Sequence, residues 1–552
     1  MTEESPAPSS NPRRHDLDAL RAFAMLIGVG LHAALAFIPD AWIVQDSTIG
    51  EASSGVMSLF LMAAHGFRMP VFFLMSGFFT AMLWRRRGLI PLLQRRFKRI
   101  FIPLLLGCVT IVPLMYLIYG VAIEQTEADA GKRVDNLWKA AGEGDVDAIA
   151  MYAEAGADLN AREPISGSTA LTIAAVSGEP DAAEALLKAG ADPNARNRDT
   201  ATALMAAAFF GRAESMKLLL KAGGDPDLPK NDGSTARTAL TADRGATEFV
   251  AALIQMEIDW EETVDGRKRI ARMLGGTAAE EETKTSGIGR AAFSIYAVVT
   301  SVSFHHLWFL WFLCILAAVF AVYALLLDRY GWRPAGGAWI LSPMRYLWVI
   351  PLTMIPQWWM SEISYGPDTS AGVIPMPHVL LYYAIFFGFG AVYYDCGDEH
   401  GSVGKWWPLT VPLSLLILFP LGLGATYGYE ELGLPQEWRR PLADLLQVSY
   451  TWFMTFGLMG LFRRLLQREN RAARYVSDST YWLYLAHLPL TVLAQIWMKH
   501  WNWNPFIKFM FVCVLVTGVV LVSYEAFVRY TWVGAMLNGR KTRPKRIDAA
   551  AL

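Results

Sequence analysis

Residues 13–38, RRHDLDALRAFAMLIGVGLHAALAFI, decide the fold class of this chain. As a helix the stretch is long enough to cross a bilayer, yet its apolar run contains Arg21 and His32. These two lie about three helical turns apart, so they share nearly the same helix face, roughly 16 Å apart along the axis. Ionisable side chains at this depth are costly and usually face a protein interior or a cavity. The stretch therefore predicts a polar site inside a membrane, with walls built by the rest of the chain.

The composition indicates an all-α, polytopic membrane protein rather than a soluble multidomain enzyme. Of the 552 residues, 54% are hydrophobic and only 18% are charged. Residues 1–12 are polar and rich in Pro and Ser, which predicts a disordered tail. The hydropathy pattern predicts about ten transmembrane helices, at about 17–38, 56–82, 100–122, 304–327, 343–361, 378–394, 406–424, 443–462, 479–498 and 506–528.

Lysine and arginine are concentrated in segments that the ten spans place on one side. The predicted loop 83–99 carries seven of them, the predicted loop 463–474 carries five, and the tail 539–552 is strongly basic. Loops 39–55 and 362–377 carry none. Because cytoplasmic loops are enriched in these residues, we predict that the basic segments and the tail lie in the cytoplasm.

A block at 124–290 interrupts the membrane domain, which we place at 13–123 and 291–538. It repeats every 33 residues, as GSTALTIAAVSGEPDAAEALLKAGADPNARNRD (167–199) and TATALMAAAFFGRAESMKLLLKAGGDPDLPKND (200–232), between a weaker and a degenerate copy. The pattern resembles ankyrin repeats, which stack helix pairs into a solenoid and bind proteins. Span parity places this domain outside the cytoplasm, and its 29 acidic against 19 basic residues do not oppose export. We therefore predict an extracytoplasmic ankyrin domain with a protein partner.

Histidine and arginine side chains within the spans are the candidates for chemistry. A lone intramembrane histidine more often hydrogen-bonds between helices than it catalyses. Two pairs favour function instead: Arg21 with His32, and His65 with Arg68, which lie three residues apart on one helix face. No HxxxH or HxH spacing occurs, so we predict no metal site. The histidines in or beside spans are His32, His65, His305, His306, His378, His487 and His500.

Five stretches, in order, resemble the acyltransferase 3 family. They are LDALRAFAMLIGVGLHAALAF, HGFRMPVFFLMSGFF, HLWFLWFL, DSTYWLYLAHLPLT and SYEAFVRYTWVGAMLNG. The family carries Arg, ten residues and then His in its first span, and Arg21 and His32 match that spacing. The resemblance covers all ten predicted spans but not the ankyrin block. Within the family, the members that succinylate periplasmic glucan are the most similar.

The resemblance implies transfer of an acyl group from cytoplasmic acyl-CoA to a hydroxyl of an extracytoplasmic saccharide, in the inner membrane of a bacterium. Acyl-CoA, with succinyl-CoA as the hypothesis, would be a donor substrate rather than a permanently bound cofactor. The expected partners are the lipid bilayer, a glycan acceptor and the ligand of the ankyrin repeats, with no nucleic acid.

Residue roles follow from the same resemblance and from general chemistry. A sugar hydroxyl needs a base of near-neutral pKa, and His32 is our candidate. Guanidinium groups suit the phosphates of coenzyme A, so Arg95, Arg96 and Arg99 are expected at the inner mouth. Arg21 would lie deeper along the donor path. The residues expected to orient the base or to stabilise the thioester oxyanion are His65, Arg68, His306 and His487.

Other functions stay open at the level of sequence. One is acetylation of a different exported glycan, such as lipopolysaccharide or exopolysaccharide. Another is a non-catalytic membrane scaffold that works through its ankyrin repeats. A transporter with His and Arg relays is disfavoured, because the two membrane halves show no internal repeat. Arg68 could also hold a succinyl carboxylate.

Overall fold

A computed structural model describes most of the chain. The described residues are 14–39, 41–130, 137–163, 167–197, 200–230, 233–253, 256, 258–275, 304–331, 337–360, 365–428, 435–468, 470–539 and 541–542. The predicted disordered tail, the predicted boundary near 290 and most of the C-terminal tail lie outside them. The chain forms two compact units, Met1–Ile118 with Val302–Leu552, and Tyr119–Ser301.

The first unit is a bundle of helices in the described residues. Its N-terminal part contains α1 (His15–Ala34), α2 (Glu51–Arg87), α3 (Leu89–Arg96) and α4 (Ile102–Ala130). Its C-terminal part contains α14 (Trp308–Tyr330), α15 (Gly337–Leu341), α16 (Tyr346–Gln357), α17 (Pro377–Asp395), α18 (Trp407–Leu413), α19 (Phe419–Tyr427), α20 (Arg439–Leu465), α21 (Arg471–Met498), α22 (Pro505–Ser523) and α23 (Trp532–Asn538).

Eight helical segments of the described chain are long and apolar enough to cross a membrane. They are His15–Phe37, Ala52–Arg87, Leu89–Ala122, His305–Tyr330, Pro377–Asp395, Trp407–Tyr427, Arg439–Leu465 and Pro505–Val528. They coincide with eight of the ten predicted spans. The chain is therefore a multi-pass, all-α membrane protein.

The two remaining predicted spans are not among these eight segments, for separate reasons. At 343–361, a short turn leads into α16, whose 12 residues reach only about 18 Å, less than the hydrocarbon thickness. At 479–498, the 28 residues of α21 are long enough, but a polar stripe lowers the hydropathy of this helix. The stripe recurs every three or four residues, as Ser477, Tyr481, Tyr484, His487, Thr491 and Gln495.

The basic segment 83–99 is a tight helical corner rather than the predicted loop. Helix α2 continues to Arg87, and the chain turns at Gly88, whose φ of +83° favours glycine. Helix α3 follows at once and runs through a wide turn at Phe97–Phe101 into α4. Several basic side chains are therefore fixed on helices.

Large aromatic residues pack the centre of the bundle. The rings of Phe386 on α17 and Trp452 on α20 stack with centroids 4.1 Å apart. Trp452 also donates through Nε1 to Thr353 Oγ1 at 2.9 Å, which fastens the short α16 to α20. The rings of Phe73 on α2 and Tyr383 on α17 stack at 4.5 Å. These contacts give the helices that carry the candidate site a rigid support.

The second unit is a stack of helix pairs, as the ankyrin prediction requires. Thr169, Thr202 and Thr235, spaced 33 residues apart, each cap the first helix of a pair by accepting a backbone N–H. The pairs are α5 (Leu137–Glu143) with α6 (Val146–Glu154), α7 (Ala170–Ser177) with α8 (Pro180–Lys188), α9 (Ala203–Phe209) with α10 (Ala213–Lys221), and α11 (Ala236–Ala239) with α12 (Arg244–Leu253). Helix α13 (Trp260–Met273) follows the degenerate last pair.

Candidate active site

Three histidines from distant parts of the chain form a row. His32 lies on α1, His306 lies in the turn before α14, and His487 lies on α21. The ring of His487 is in the middle, with centroids 5.3 Å from His32 and 5.3 Å from His306. His306 and His487 are buried, with 7% and 1% of their surface exposed. The structure thus brings together three of the residues predicted to serve the reaction.

Backbone carbonyls fix the proton positions of two of these rings. His487 Nδ1 lies 2.8 Å from the carbonyl oxygen of Tyr484 and 3.0 Å from that of Leu483. Because a carbonyl can only accept, Nδ1 donates, and Nε2 of the neutral ring keeps its lone pair. His306 likewise donates through Nε2 to the carbonyl of Leu485 at 3.3 Å.

The nitrogens left by this arrangement are buried and available for proton transfer. His32 Nδ1, His306 Nδ1 and His487 Nε2 have no hydrogen-bond partner among the described residues. A buried nitrogen without a hydrogen-bond partner costs free energy of folding, and three such nitrogens in one row indicate a functional site. The row therefore presents buried ring nitrogens that can accept a proton, which suits a general base.

Arg68 brings a positive charge to this row. It projects from α2 across α1, where a Cβ built on Gly28 would lie 2.3 Å from Arg68 Nη1. Only glycine leaves room for the guanidinium at this crossing. The charge of Arg68 acts on the rings of His32, His65 and His487. A cation so placed can stabilise an oxyanion that develops beside the histidines.

His65 is held by a different partner. Its Nε2 donates to the carbonyl oxygen of Pro367 at 2.8 Å, in the segment between α16 and α17. The predicted neighbourhood with Arg68 is present, since the two interact electrostatically. His65 therefore joins the wall of the site to the 365–376 segment.

Arg21 is fixed at the opposite end of α1. Its Nη2 donates to the hydroxyl and the carbonyl of Ser477 on α21, at 2.7 and 2.9 Å, and pairs with Asp18 at 3.3 Å. The Ser477 hydroxyl in turn donates to Asp18 at 3.2 Å. This network joins α1 to α21. Arg21 therefore has a structural role in addition to its expected place on the donor path.

The predicted coenzyme-A arginines lie at the helical corner after α2. Arg96 donates to the hydroxyl of Thr80 on α2, and Arg95 and Arg96 are both partly buried. Arg99 lies close enough to Arg95 and Arg96 for mutual repulsion. Clustered arginines that repel one another favour an anionic ligand such as phosphate.

Two tyrosines that the sequence reasoning missed lie between the arginines and the histidines. Tyr481 interacts electrostatically with Arg96 and Arg99, and its buried hydroxyl has no partner among the described residues. Tyr484 interacts with Tyr481 and Arg68. Their spacing from His487 on α21 is the signal that could have revealed them, since residues three or four apart share a helix face. A polar path thus leads along α21 from the basic corner to the histidine row.

The other end of the row is covered by a loop that was also missed. Trp42 lies with its ring centroid 6.3 Å from that of His32, and its Nε1 donates to Gln495 Oε1 at 3.1 Å. Gln495 donates through Nε2 to the carbonyl oxygen of His32 at 2.9 Å. A lone tryptophan in a polar loop gave no sequence signal for this position.

Two predicted histidines lie elsewhere. His305 has a left-handed φ of +46°, and its ring packs against Tyr116 at 5.1 Å rather than in the row. That backbone conformation is uncommon for a residue with a Cβ. It occurs in the turn that places the ring of His306 next to that of His487. His378 lies in the first turn of α17.

Comparison with known proteins agrees with this architecture. The family model of the acyltransferase domain, acyltransferase 3, matches residues 14–140 and 283–525, about two thirds of the chain. A model of three ankyrin repeats matches residues 137–230. The predicted resemblance to both is confirmed.

Two curated relatives carry the name Glucans biosynthesis protein C. They come from Salmonella paratyphi B and Salmonella heidelberg, and the chain is 38% identical to each over 106 residues. The match covers 19% of this chain and 26% of each relative, so the chain spans about a quarter of the length of the curated relatives it matches. By its family match, this chain belongs to the acyltransferase 3 family.

Proposed function

We propose that this acyltransferase moves an acyl group, succinyl in our hypothesis, from cytoplasmic acyl-CoA to a hydroxyl of a periplasmic glucan. The observation that carries the proposal is the row of His32, His487 and His306 beside Arg68, with ring nitrogens that have no partner in the part of the chain that the structure describes. The glucan acceptor is suggested by the name of the curated relatives.

The chemistry assigned to the row is a single displacement. His32 takes the proton of the sugar hydroxyl, and the oxygen attacks the thioester carbonyl. Arg68 stabilises the oxyanion of the tetrahedral intermediate. The intermediate then expels the thiolate of coenzyme A, which takes the proton from His32. His487, with its proton fixed at Nδ1, leaves Nε2 as an acceptor for a hydrogen bond from His32 once the His32 ring is protonated.

The donor end of the site is proposed at the helical corner. Arg95, Arg96 and Arg99 would hold the phosphates of coenzyme A, and the thioester would extend past Tyr481 and Tyr484 toward the histidines. The positive-inside distribution supports a cytoplasmic position for this corner. In that orientation the histidine row lies toward the periplasm of a bacterial inner membrane, and so does the ankyrin unit.

The experiment is an assay of the purified full chain in lipid nanodiscs. Succinyl-CoA or acetyl-CoA is supplied with purified periplasmic glucan, and ester formation is followed by mass spectrometry. We expect succinyl transfer by the wild type, its loss in His32→Gln, and retention in the matched control His378→Gln. Transfer that persists in His32→Gln would remove this residue as the base. Transfer from acetyl-CoA alone would overturn the succinyl hypothesis.

The donor preference has a separate test. Arg68→Leu should lower turnover of both donors if Arg68 serves only the oxyanion. If Arg68 also binds the succinyl carboxylate, the KM for succinyl-CoA should rise more than that for acetyl-CoA. An equal effect on both KM values would reject the second role.

A further inference from the structure

The loop between α1 and α2 is folded back and fixed at the histidine end of the bundle. Asp46 donates its backbone N–H to the carbonyl of Ala36 at 2.9 Å, so the loop returns to the end of its own helix. Ser47 donates its N–H and its hydroxyl to the carbonyl of Lys499, at 3.0 and 2.7 Å. The loop is therefore tied to both α1 and the connection that follows α21.

A buried ion pair fixes the same loop to α22. Lys508 Nζ lies 2.9 Å from both carboxylate oxygens of Asp46, with 0% and 4% of the two side chains exposed. The carboxylate also accepts from the backbone N–H and the hydroxyl of Thr48. The cost of burying two charges is offset only when their geometry is good and further hydrogen bonds are made, and both conditions hold here. The pair therefore holds this loop in one position.

The residue that this loop places beside the histidines is Trp42. Its ring lies next to that of His32, tilted by 37°, and remains partly exposed. Its indole N–H donates a hydrogen bond to Gln495, and Gln495 donates in turn to the carbonyl oxygen of His32. A tryptophan of the interfacial belt has its N–H among headgroups instead. Trp42 is thus built into the site.

We propose that Trp42 is the acceptor-binding residue of this site: its indole face packs against a pyranose ring so that one hydroxyl of that ring meets His32. The inference rests on the proposed function and adds the place where the sugar binds. A pyranose presents a face of C–H groups with hydroxyls around its edge, which suits a flat, rigid aromatic surface beside a polar group. Asp46 and Lys508 act as positioning residues, because they hold the loop that carries Trp42.

The test separates acceptor binding from donor chemistry. The KM values for purified periplasmic glucan and for succinyl-CoA are measured in wild type, Trp42→Leu, Trp42→Phe and the exposed control Trp406→Leu. We expect Trp42→Leu to raise the acceptor KM at least about tenfold, Trp42→Phe to raise it less, and the donor KM to stay unchanged. An unchanged acceptor KM in Trp42→Leu would overturn the proposal, as would a parallel loss in Trp406→Leu.

Two further measurements distinguish the proposed acceptor site from a purely structural role of Trp42 and from a failure of the proposed transfer reaction. Binding of succinyl-CoA without acceptor should be equal in wild type and Trp42→Leu, and a matching decrease would mean that Trp42 only supports the fold. Direct binding of the glucan without donor is measured by calorimetry. Binding that Trp42→Leu weakens would support the acceptor site even if no transfer occurs, whereas binding that it leaves intact would reject the site.

Discussion

The imidazole rings of His32 and His487 lie 5.3 Å apart, although the two residues come from opposite ends of the chain. Helix α1 and helix α21 run side by side to achieve this. Arg21 meets Ser477 at one end of the pair, and Gln495 meets the carbonyl of His32 at the other. The polar face of α21 thus turns toward the polar face of α1.

Replacing His487 with Asn should abolish most of the transfer. The Asn amide can still donate where Nδ1 does, but it has no atom at the position of Nε2. Loss of a base or of its orienting partner typically costs on the order of a hundredfold or more in turnover. Steady-state assays in nanodiscs measure this, with His378→Gln as the control. Turnover within about threefold of wild type would exclude Nε2 from the reaction.

Gly28→Ala should displace Arg68. The added Cβ would lie 2.3 Å from Nη1, so the guanidinium must move away from the histidine row. We expect kcat to fall while the fold is retained, because Arg68 can relocate its flexible side chain. The matched control is Gly55→Ala on α2, where a Cβ meets nothing within 4 Å. Equal kcat values in the two variants would contradict this role for Arg68.

Breaking the buried pair on one side should destabilise the membrane unit. Lys508→Met leaves the Asp46 carboxylate buried without its cation, at a cost of about 3–5 kcal/mol. Removing both charges in Asp46→Leu with Lys508→Met should restore part of that stability. Thermal unfolding in detergent compares the stability of the wild type, the single variant and the double variant, with the exposed Lys405→Met as the control. A double variant less stable than the single one would show that the pair contributes net stability.

In the ankyrin unit, Arg267 should matter far more than its neighbour Arg269. Arg267 is buried on α13 and donates to the carbonyl of Phe209 at 3.1 Å and to Thr247 Oγ1 at 2.8 Å. Arg267→Met should cost about 2–4 kcal/mol, since several charge-assisted hydrogen bonds are lost. Within the described residues, the ion pair of Arg269 is an exposed one with Glu214, worth about 0–1 kcal/mol. Hydrogen exchange of 200–275 in the full chain compares the two, and equal protection would refute the difference.

The loop after α17 should contribute to stability above acid pH. Burial alone raises the pKa of Asp398, but the backbone N–H groups of Ser402 and Val403 and the hydroxyl of Tyr393 outweigh it, so the pKa lies below the usual value. A lowered carboxyl pKa stabilises the fold above the unfolded-state pKa of about 4, and this stability is lost as pH falls through the folded pKa.

Asp398→Asn tests this linkage. The variant should be less stable at neutral pH and should lose the part of the acid dependence that comes from this carboxyl. Unfolding midpoints between pH 7 and pH 3 measure both effects. If the unfolding midpoint fell with pH in the variant as it does in the wild type, Asp398 would not be the source of the acid dependence.

The class of the fold and most of the span positions could be predicted because apolar runs and a 33-residue repeat are local patterns. The differences from the prediction lie at residues whose surroundings are not local. The polar stripe of α21 is favourable because α1 and His306 meet it, as the contacts of Ser477 with Arg21 and of His487 with His32 and His306 show. At 83–99 the structure has a helical corner instead of the predicted loop, because one residue with a positive φ, Gly88, is enough to make the turn.

The sequence by itself determined the inventory of the site: which helices carry charge, and that Arg21, His32, His65, Arg68, His306 and His487 are the candidates. Only the tertiary structure decided which of them meet. It grouped His32, His306 and His487 and turned His65 to Pro367, and it added Trp42 and Tyr481. The physical reason is that helical periodicity specifies one face of one helix. Which faces meet depends on close packing across the whole bundle and on the carbonyls that fix each ring.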